Sequence, residues 1–312
     1  MQFFETKFNN KKTILALGAE SAGNFCIFNK GILHFSDDFG DLLDDTNFRK
    51  YTHDLNEFLK KNKIKPEIIL TDLHPLYKTT ALGKELAKKF KAKHIHIQHH
   101  IAHIFSAIGD KILCDTRYVI RDTSFGIALD GTGYGTDGKI WGGEIFKVCR
   151  DRIPTEGSDP FSIERIGHLE NQTMIGGDLA IREPARMLIS ILSKFLSKKE
   201  IYKILQNVSS QHGRRMVIHR KEFYTKSEFD ILYSQLLQNF NCQETSSTGR
   251  VLDAVSILLG FCGNKRNYKH EPIDLLERNS TRPYADLHPK LQITNYKTQT
   301  KSKSQIQNPK FI

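Results

Sequence analysis

FGIALDGTGYGTDGKIWGGE, residues 125–144, is the stretch on which the fold turns. An apolar run, Phe125 to Leu129, reads as a buried strand, breaks into Asp130, Gly131, Gly133, Gly135 and Gly138, and resumes with Ile140 and Trp141. Glycines following an aspartate make a hairpin whose backbone meets a ligand with no Cβ in the way. Its N–H groups are therefore expected to be free to face phosphate oxygens. The alternative is an Asp/Gly-rich β-turn with no ligand at all. A calcium loop is excluded: counted from Asp130, Gly135 falls where an EF-hand needs its glycine, but Thr132, Tyr134 and Trp141 stand at the ligand positions. A dinucleotide fingerprint is excluded as well, because the glycines join two strand-like runs rather than a strand and a helix.

Upstream, Thr13 to Leu17, Asn24 to Phe28 and Ile32 to Phe35 read as three short strands, the first two joined by GAESAG at 18–23. That small-residue turn is either a first phosphate-contacting loop or an ordinary hairpin turn. DDFGDLLDD, 37–45, is an acidic turn leading into a helix over Asn47 to Lys61, with Phe48, Leu55, Phe58 and Leu59 at helical spacing. Ile68 to Leu70 is a strand, Thr79 to Phe90 an amphipathic helix, His94 to Ile97 a strand, and a further helix starts near Gln98. This alternation defines an α/β architecture.

In QHHIAHIFSAIGDKI, 98–112, Ile101, Phe105, Ile108 and Ile112 fall on one helical face, with His99, His103, Ser106 and Asp110 opposite. Histidines at i and i+4 reach the same point in space from adjacent turns, the spacing two imidazoles need to share a metal ion. An exposed pair with no role has the same spacing, and a third donor, typically Asp or Glu, must come from elsewhere.

The 312 residues suffice for two domains or a bilobal unit, and 39% hydrophobic with 26% charged residues is ordinary for a globular protein. No apolar run approaches the roughly 20 residues of a membrane helix, so a cytoplasmic protein is expected. Cys26, Cys114, Cys149, Cys242 and Cys262 contain no C-x-x-C pair and are expected mostly as buried small hydrophobes. The net charge of +11 is partly local: five lysines and no acidic residue follow Leu287, and the rest lies on Lys-rich helix faces. With no nucleic-acid-binding motif to accompany it, nucleic acid is not expected as a partner.

Taken together, GAE at 18–20, GDL at 40–42, DLHPLY at 72–77, QHHIAH at 98–103 and ALDGTGYGTDGKIWGGE at 128–144 resemble the C-terminal module of the HypF-type hydrogenase-maturation carbamoyltransferases. IGGDLAIREPARM at 175–187 and TSSTGRVLDAVSILLG at 245–260 continue the likeness, which spans roughly residues 12–280. The module is similar to the universal ATPase of tRNA threonylcarbamoylation, but DLHPLY and DGTGYGTDGKIWGGE favour the HypF side.

The resemblance implies an actin-like (ASKHA-type), two-lobed ATPase fold, with carbamoyl-adenylate made from ATP held in the cleft between the lobes. It implies Fe or Zn on His99 and His103, a catalytic role for Asp130, and Gly131, Thr132 and Gly133 in the phosphate and metal region. Gly176, Gly177 and Asp178 would lie near the nucleotide. The implied reaction carries a carbamoyl group to the C-terminal cysteine of a HypE-like partner during [NiFe] hydrogenase maturation.

Three departures accompany the likeness. No adenylate-forming domains precede residue 12, so a separate polypeptide is expected to supply the intermediate. GAESAGN has no lysine near Ala22. No glycine follows Gly263, so the segment with a DGG-type metal-binding aspartate has no counterpart and an incomplete second lobe is expected. The expected divisions are an extension over 1–12, a first lobe over 13–150, a partial, largely helical second lobe over 151–280, and a basic, disordered tail over 281–312. Core helices are expected over Ala185–Leu196, Glu228–Phe240 and Val251–Phe261, and GRRM at 213–216 with Lys221 and Lys226 as a solvated basic segment. A catalytically silent nucleotide-binding scaffold and a tRNA-modifying relative are the other functional readings.

Overall fold

The structure, a computed structural model, describes residues 1–6, 10–114, 123–150, 161–215 and 223–280. The tail from 281, and Met216 and Lys221 of the basic segment, lie outside them. The chain divides into two compact units that are not contiguous in sequence. The first takes in the described residues up to 150 and then 161–171 and 243–249; the second takes in those of 172–242 and 250–280. The sequence puts the boundary between its two lobes at one point, after residue 150, whereas the structure has the chain return to the first unit twice.

The first unit holds two sheets. One is six-stranded, in the order β1-β4-β3-β2-β5-β6, with β1 Gln2–Glu5, β2 Ile14–Ala16, β3 Cys26–Asn29, β4 Ile32–Phe35, β5 Ile68–Asp72 and β6 Lys93–Ile97. β2 pairs antiparallel with β3 and parallel with β5, and β5 pairs parallel with β6. Gln2 to Glu5 therefore belong to this sheet, through antiparallel pairing with β4, and are no separate extension.

Helix α1, Asp45–Lys61, begins at Asp44, whose carboxylate accepts from the N–H groups of Thr46 and Asn47; this explains the acidic stretch before it. Its Tyr51, Leu55 and Leu59 join Leu15, Leu17, Phe25, Ile27 and Ile69 in the core, where Tyr51 Oη donates to the Leu17 carbonyl at 2.9 Å. Helix α2, Lys78–Phe90, adds Leu82 and Leu86 to the same core.

Helix α3, His99–Cys114, packs on the second sheet, where β7 (Thr123–Tyr134), β8 (Ile140–Arg150) and β9 (Phe161–His168) are antiparallel and β11 (Cys242–Thr245) runs parallel to β8 at Thr245–Ile140. Ile104 of α3 lies with Ala128, Trp141, Phe146 and Val148. The expected buried strand Phe125–Leu129 is only half right. Gly126 and Ala128 face inward, and a Cβ on Gly126 would run into Ile104, whereas Phe125, Ile127 and Leu129 point away and are about two-thirds exposed. On this outer strand the small residues, not the large ones, face the helix.

Another correction concerns the hairpin. The turn occupies only Gly135 to Lys139, with Gly138 at φ +76°, and residues through Tyr134 belong to β7. Within β7 the register slips: Leu129 pairs with Gly143 and Gly133 with Trp141, so Asp130, Gly131 and Thr132 stand against the single residue Gly142. Such a bulge turns side chains out of the regular alternation.

The second unit is built from β10 (Gln172–Ile175), α4 (Leu179–Arg182), α5 (Ala185–Leu192), α6 (Lys198–Arg215), α7 (Lys226–Leu237), α8 (Thr248–Leu258, from residue 250 onward) and α9 (Glu271–Asn279). α5 packs on β10, α6 and α7. Its core includes Met174, Met187, Leu188, Ile201, Leu205 and Phe229. Thr225 and Glu228 form a capping box at the start of α7. Cys262 is fully buried, whereas Cys26, Cys149 and Cys242 are half-buried, short of the expected burial. Among the described residues no helix is long and apolar enough to cross a membrane.

Candidate metal centre

Two features of the local sequence bring α3 to the bulge. Gln98, just before the helix, accepts through Oε1 from the N–H groups of His100 (2.8 Å) and Ile101 (3.1 Å), and donates through Nε2 to the Tyr134 carbonyl at 3.1 Å. One buried amide thus caps the helix and ties it to the end of β7. Gly133 then allows close approach: a Cβ there would lie 3.0 Å from His100 Nδ1 and from His99 Cβ. The missing Cβ makes room for the two histidines.

His99 Nε2 and His103 Nε2 lie 3.2 Å apart, as i,i+4 spacing foretold. The bulge delivers Asp130, whose Oδ2 is 3.1 Å from His99 Nε2, 3.6 Å from His100 Nε2 and 3.8 Å from His103 Nε2. One donor atom each from His99, His103 and Asp130 falls within 4.8 Å of the others. Asp130 thus occupies the place of the third donor that the helix spacing left open. Its Oδ2 is a buried oxygen with no well-aligned hydrogen bond, so the approach of His99 is an ion pair.

Metal–nitrogen bonds near 2.0–2.1 Å give a tetrahedral edge of roughly 3.3 Å. The His–His and His99–Asp130 separations fit one cation shared by all three side chains, and two imidazoles with a carboxylate are donors suited to Zn2+ or Fe2+.

The electrostatics follow from this crowding. Burial opposes charge on His99, but the carboxylates of Asp130 and Asp72 outweigh it and raise the ring to about 9. Burial likewise opposes charge on Asp130, yet His99 and the Gly131 N–H hold it down to about 2. His100, fully buried, is pushed down to about 4 by burial and by the charge on His99. His103 is lowered for the same two reasons.

In metal-free protein the raised His99 contributes stability that is complete below 6.5 and lost as pH rises through about 9. The depressed Asp130 contributes stability present above 3.8 and lost as pH falls through about 2. Calorimetry in chelator should therefore show a lower melting temperature above pH 9 than at pH 6.5; a flat or rising profile contradicts the ion pair.

The other residues picked out by sequence fare differently. Gly131 N–H donates to Asp130 Oδ1 at 2.6 Å, Gly135 N–H to the Lys139 carbonyl and Gly138 N–H to the Gly135 carbonyl. These three amides are committed within the hairpin, contrary to the expectation of free donors. Thr132 is exposed on the bulge. Gly176 (φ +80°) and Gly177 (φ +56°) form the tight turn after β10 in the second unit, and Asp178 stands exposed at the start of α4.

Sequence reading missed His100, Gln98 and Asp72, and a buried support beneath the bulge. Glu144, fully buried, accepts from the N–H groups of Gly142 (3.0 Å) and Gly143 (3.2 Å), from Ser246 Oγ and from Arg165 Nε (2.6 Å). Burial alone would raise its carboxyl, but Ser246, Arg165 and the two amides together lower it. Arg165 also stacks on Trp141 at 3.8 Å, and Ser247 Oγ donates to the Gly131 carbonyl at 2.7 Å. TSS at 245–247 and GGE at 142–144 carried this signal in the sequence, but their pairing joins residues about a hundred positions apart.

The sheets and helices are those of an actin-like, ASKHA-type fold, in the variant known as Kae1-like. The family model described as "HypF Kae1-like domain" matches residues 9–110, and that described as "Carbamoyltransferase, Kae1-like Domain, second subdomain" matches 126–309. The chain belongs to the HypF carbamoyltransferase family. It is 36% identical over 288 residues to "Probable carbamoyltransferase HypF" of Methanocaldococcus jannaschii and 30% identical over 247 residues to "Carbamoyltransferase HypF homolog" of Cupriavidus necator. The matches cover 92% and 79% of this chain but 33% and 55% of those relatives, so the chain spans between a third and about half of their length. Among solved structures, HypF of T. kodakarensis superposes with a TM-score of 0.73 at 33% identity, covering 91% of this chain and 34% of that one. A full-length HypF in a phosphate- and nucleotide-bound form gives 0.69 at 28% identity, covering 88% and 38%.

Proposed function

We propose that this chain carries the carbamoyl-transfer step of the HypF reaction, with His99, His103 and Asp130 holding a Zn or Fe ion. The observation that supports this most directly is the convergence of those three donors, drawn from a helix and a strand bulge, in a member of a carbamoyltransferase family. When bound, the metal supplies a fixed positive charge able to stabilise developing negative charge on a carbonyl or phosphoryl oxygen.

In the proposed reaction the thiolate of a HypE-like partner's C-terminal cysteine attacks the carbamoyl carbon of carbamoyl-adenylate. A C–S bond forms, the C–O bond to the phosphate breaks, and AMP leaves with the electron pair. The chain's own contribution is positional. Gln98 and Gly133 set the helix against the strand. His100, held down to about 4, stays uncharged at neutral pH. Thr132 is the proposed phosphate contact on the bulge, and Gly176, Gly177 and Asp178 are the proposed nucleotide contacts of the second unit. ATP would be consumed by a separate segment or polypeptide that makes the adenylate, and the proposed setting is the cytoplasm.

The test is metal content and thiocarbamate formation on a cysteine-terminated partner peptide, with carbamoyl-adenylate supplied. Wild-type protein should retain about one ion per chain, and Asp130→Asn less than a tenth of that with transfer lost. An Asp130→Asn protein that keeps its metal and its transfer activity overturns the assignment.

A further inference from the structure

The motif DLHPLY contributes a residue to the metal centre that donor spacing does not identify. Asp72 ends β5, and parallel pairing of Asp72 with Ile97 sets its carboxylate beside the first turn of α3. Its Oδ2 lies 2.7 Å from His99 Nδ1, while Oδ1 accepts from the His74 N–H at 2.8 Å. The side chain is only 5% exposed. His99 is thus gripped on both ring nitrogens: Nδ1 by Asp72, and Nε2 by the cluster of His103 and Asp130.

We propose that Asp72 is the positioning residue of this centre. By accepting the Nδ1 proton of His99, it fixes the tautomer that leaves the Nε2 lone pair for the metal and locks the ring's rotation about its Cβ–Cγ bond. A carboxylate behind a ligating imidazole increases the basicity of the ring and holds it at the productive angle, and loss of such a partner typically costs 10–100-fold in metal affinity. Asp72 is itself fixed from both sides. The His74 N–H holds one oxygen, and Thr80 Oγ1, which donates to the His74 carbonyl at 2.9 Å, pins the turn that carries that N–H. The other two donors are placed differently: His103 is more than half exposed, and the second oxygen of Asp130, Oδ1, takes the Gly131 N–H. The ordering of the site therefore enters through His99 and the strand behind it.

The assignment rests on the metal reading above, and Asp72→Asn tests it, because asparagine keeps the Oδ1 acceptor for His74 while removing the charge. Zinc affinity, measured by chelator competition on the full chain, is expected to fall 10–100-fold. In zinc-loaded wild-type protein, long-range proton–nitrogen correlation should show His99 protonated at Nδ1 and metal-bound at Nε2, with a strongly deshielded, slowly exchanging Nδ1 proton. In Asp72→Asn that proton should move upfield. Zinc affinity within twofold of wild type together with an unmoved resonance overturns the proposal. So does a wild-type spectrum with the proton on Nε2, an outcome that needs no variant to fold. A wild-type chain that takes up no zinc overturns the metal reading and this assignment with it, and is told apart because it fails before any substitution is made.

Discussion

His99→Ala is expected to lose the metal and also to destabilise the metal-free chain, whereas His103→Ala should lose the metal alone. Both remove one donor of three. Zinc-binding free energies of about 10–16 kcal/mol shared over four ligands assign about 3 kcal/mol to each, or roughly a hundredfold or more in affinity per deleted imidazole. The difference lies behind the ligand. His99 stands between two carboxylates, Asp72 Oδ2 at 2.7 Å and Asp130 Oδ2 at 3.1 Å, both largely buried, and its loss leaves two negative charges facing each other across an empty pocket. Removing one partner of a buried ion pair costs about 3–5 kcal/mol. His103 is 56% exposed, so water replaces it at little cost. Metal analysis and urea denaturation in chelator read the two effects separately. Equal stability loss in both variants would mean that the carboxylates do not depend on His99.

Arg165→Ala should be as damaging, without touching a ligand. Glu144 is fully buried and keeps its charge against three neutral donors and one cation, Arg165. With the guanidinium gone, the charge is left to two amides and a hydroxyl, again about 3–5 kcal/mol, and the stacking on Trp141 adds roughly 1–2 kcal/mol. Arg165→Lys should recover less than half, since an ammonium cannot lie flat on the indole while donating sideways to the carboxylate. Glu144→Gln in the Arg165→Ala background should relieve part of the loss, because it removes the orphaned charge; the double variant then unfolds at higher urea than the sum of the singles implies. Strict additivity would separate the two residues and dissolve the support under the bulge.

What the sequence displayed was whatever repeats locally. The β5, α2, β6, α3 alternation shows in the apolar spacing, and the His99–His103 pair needs only the pitch of a helix. β1 shows no such pattern: all four of its residues are exposed, and it is held by backbone pairing with β4. β11, with CQET, is too short and polar to announce a strand and is recognised through its neighbour at Ile140. α6 did carry a signal, Ile201, Leu205 and Val208 at helical spacing, among lysines that drew attention to charge instead. In the site, Asp130 was visible as the aspartate of an Asp-Gly run, but its direction depends on a register slip that no composition encodes. Asp72 meets His99 across 27 positions because two parallel strands bring them level, and Glu144 meets Ser246 across 102. Long-range pairing of this kind leaves no periodic trace in the chain.

The return of residues 161–171 and 243–249 to the first unit has a consequence for biosynthesis. When residue 150 leaves the ribosome, the histidines and Asp130 are already made, but Arg165, Ser246 and Ser247 are not. At about 5–20 residues per second, the stretch from 150 to 249 takes on the order of 5–20 s to emerge. Arg165 follows within about 1–3 s, but for nearly all of that interval Glu144 lacks its hydroxyl partner, so the nascent centre waits on the last serine before it can close.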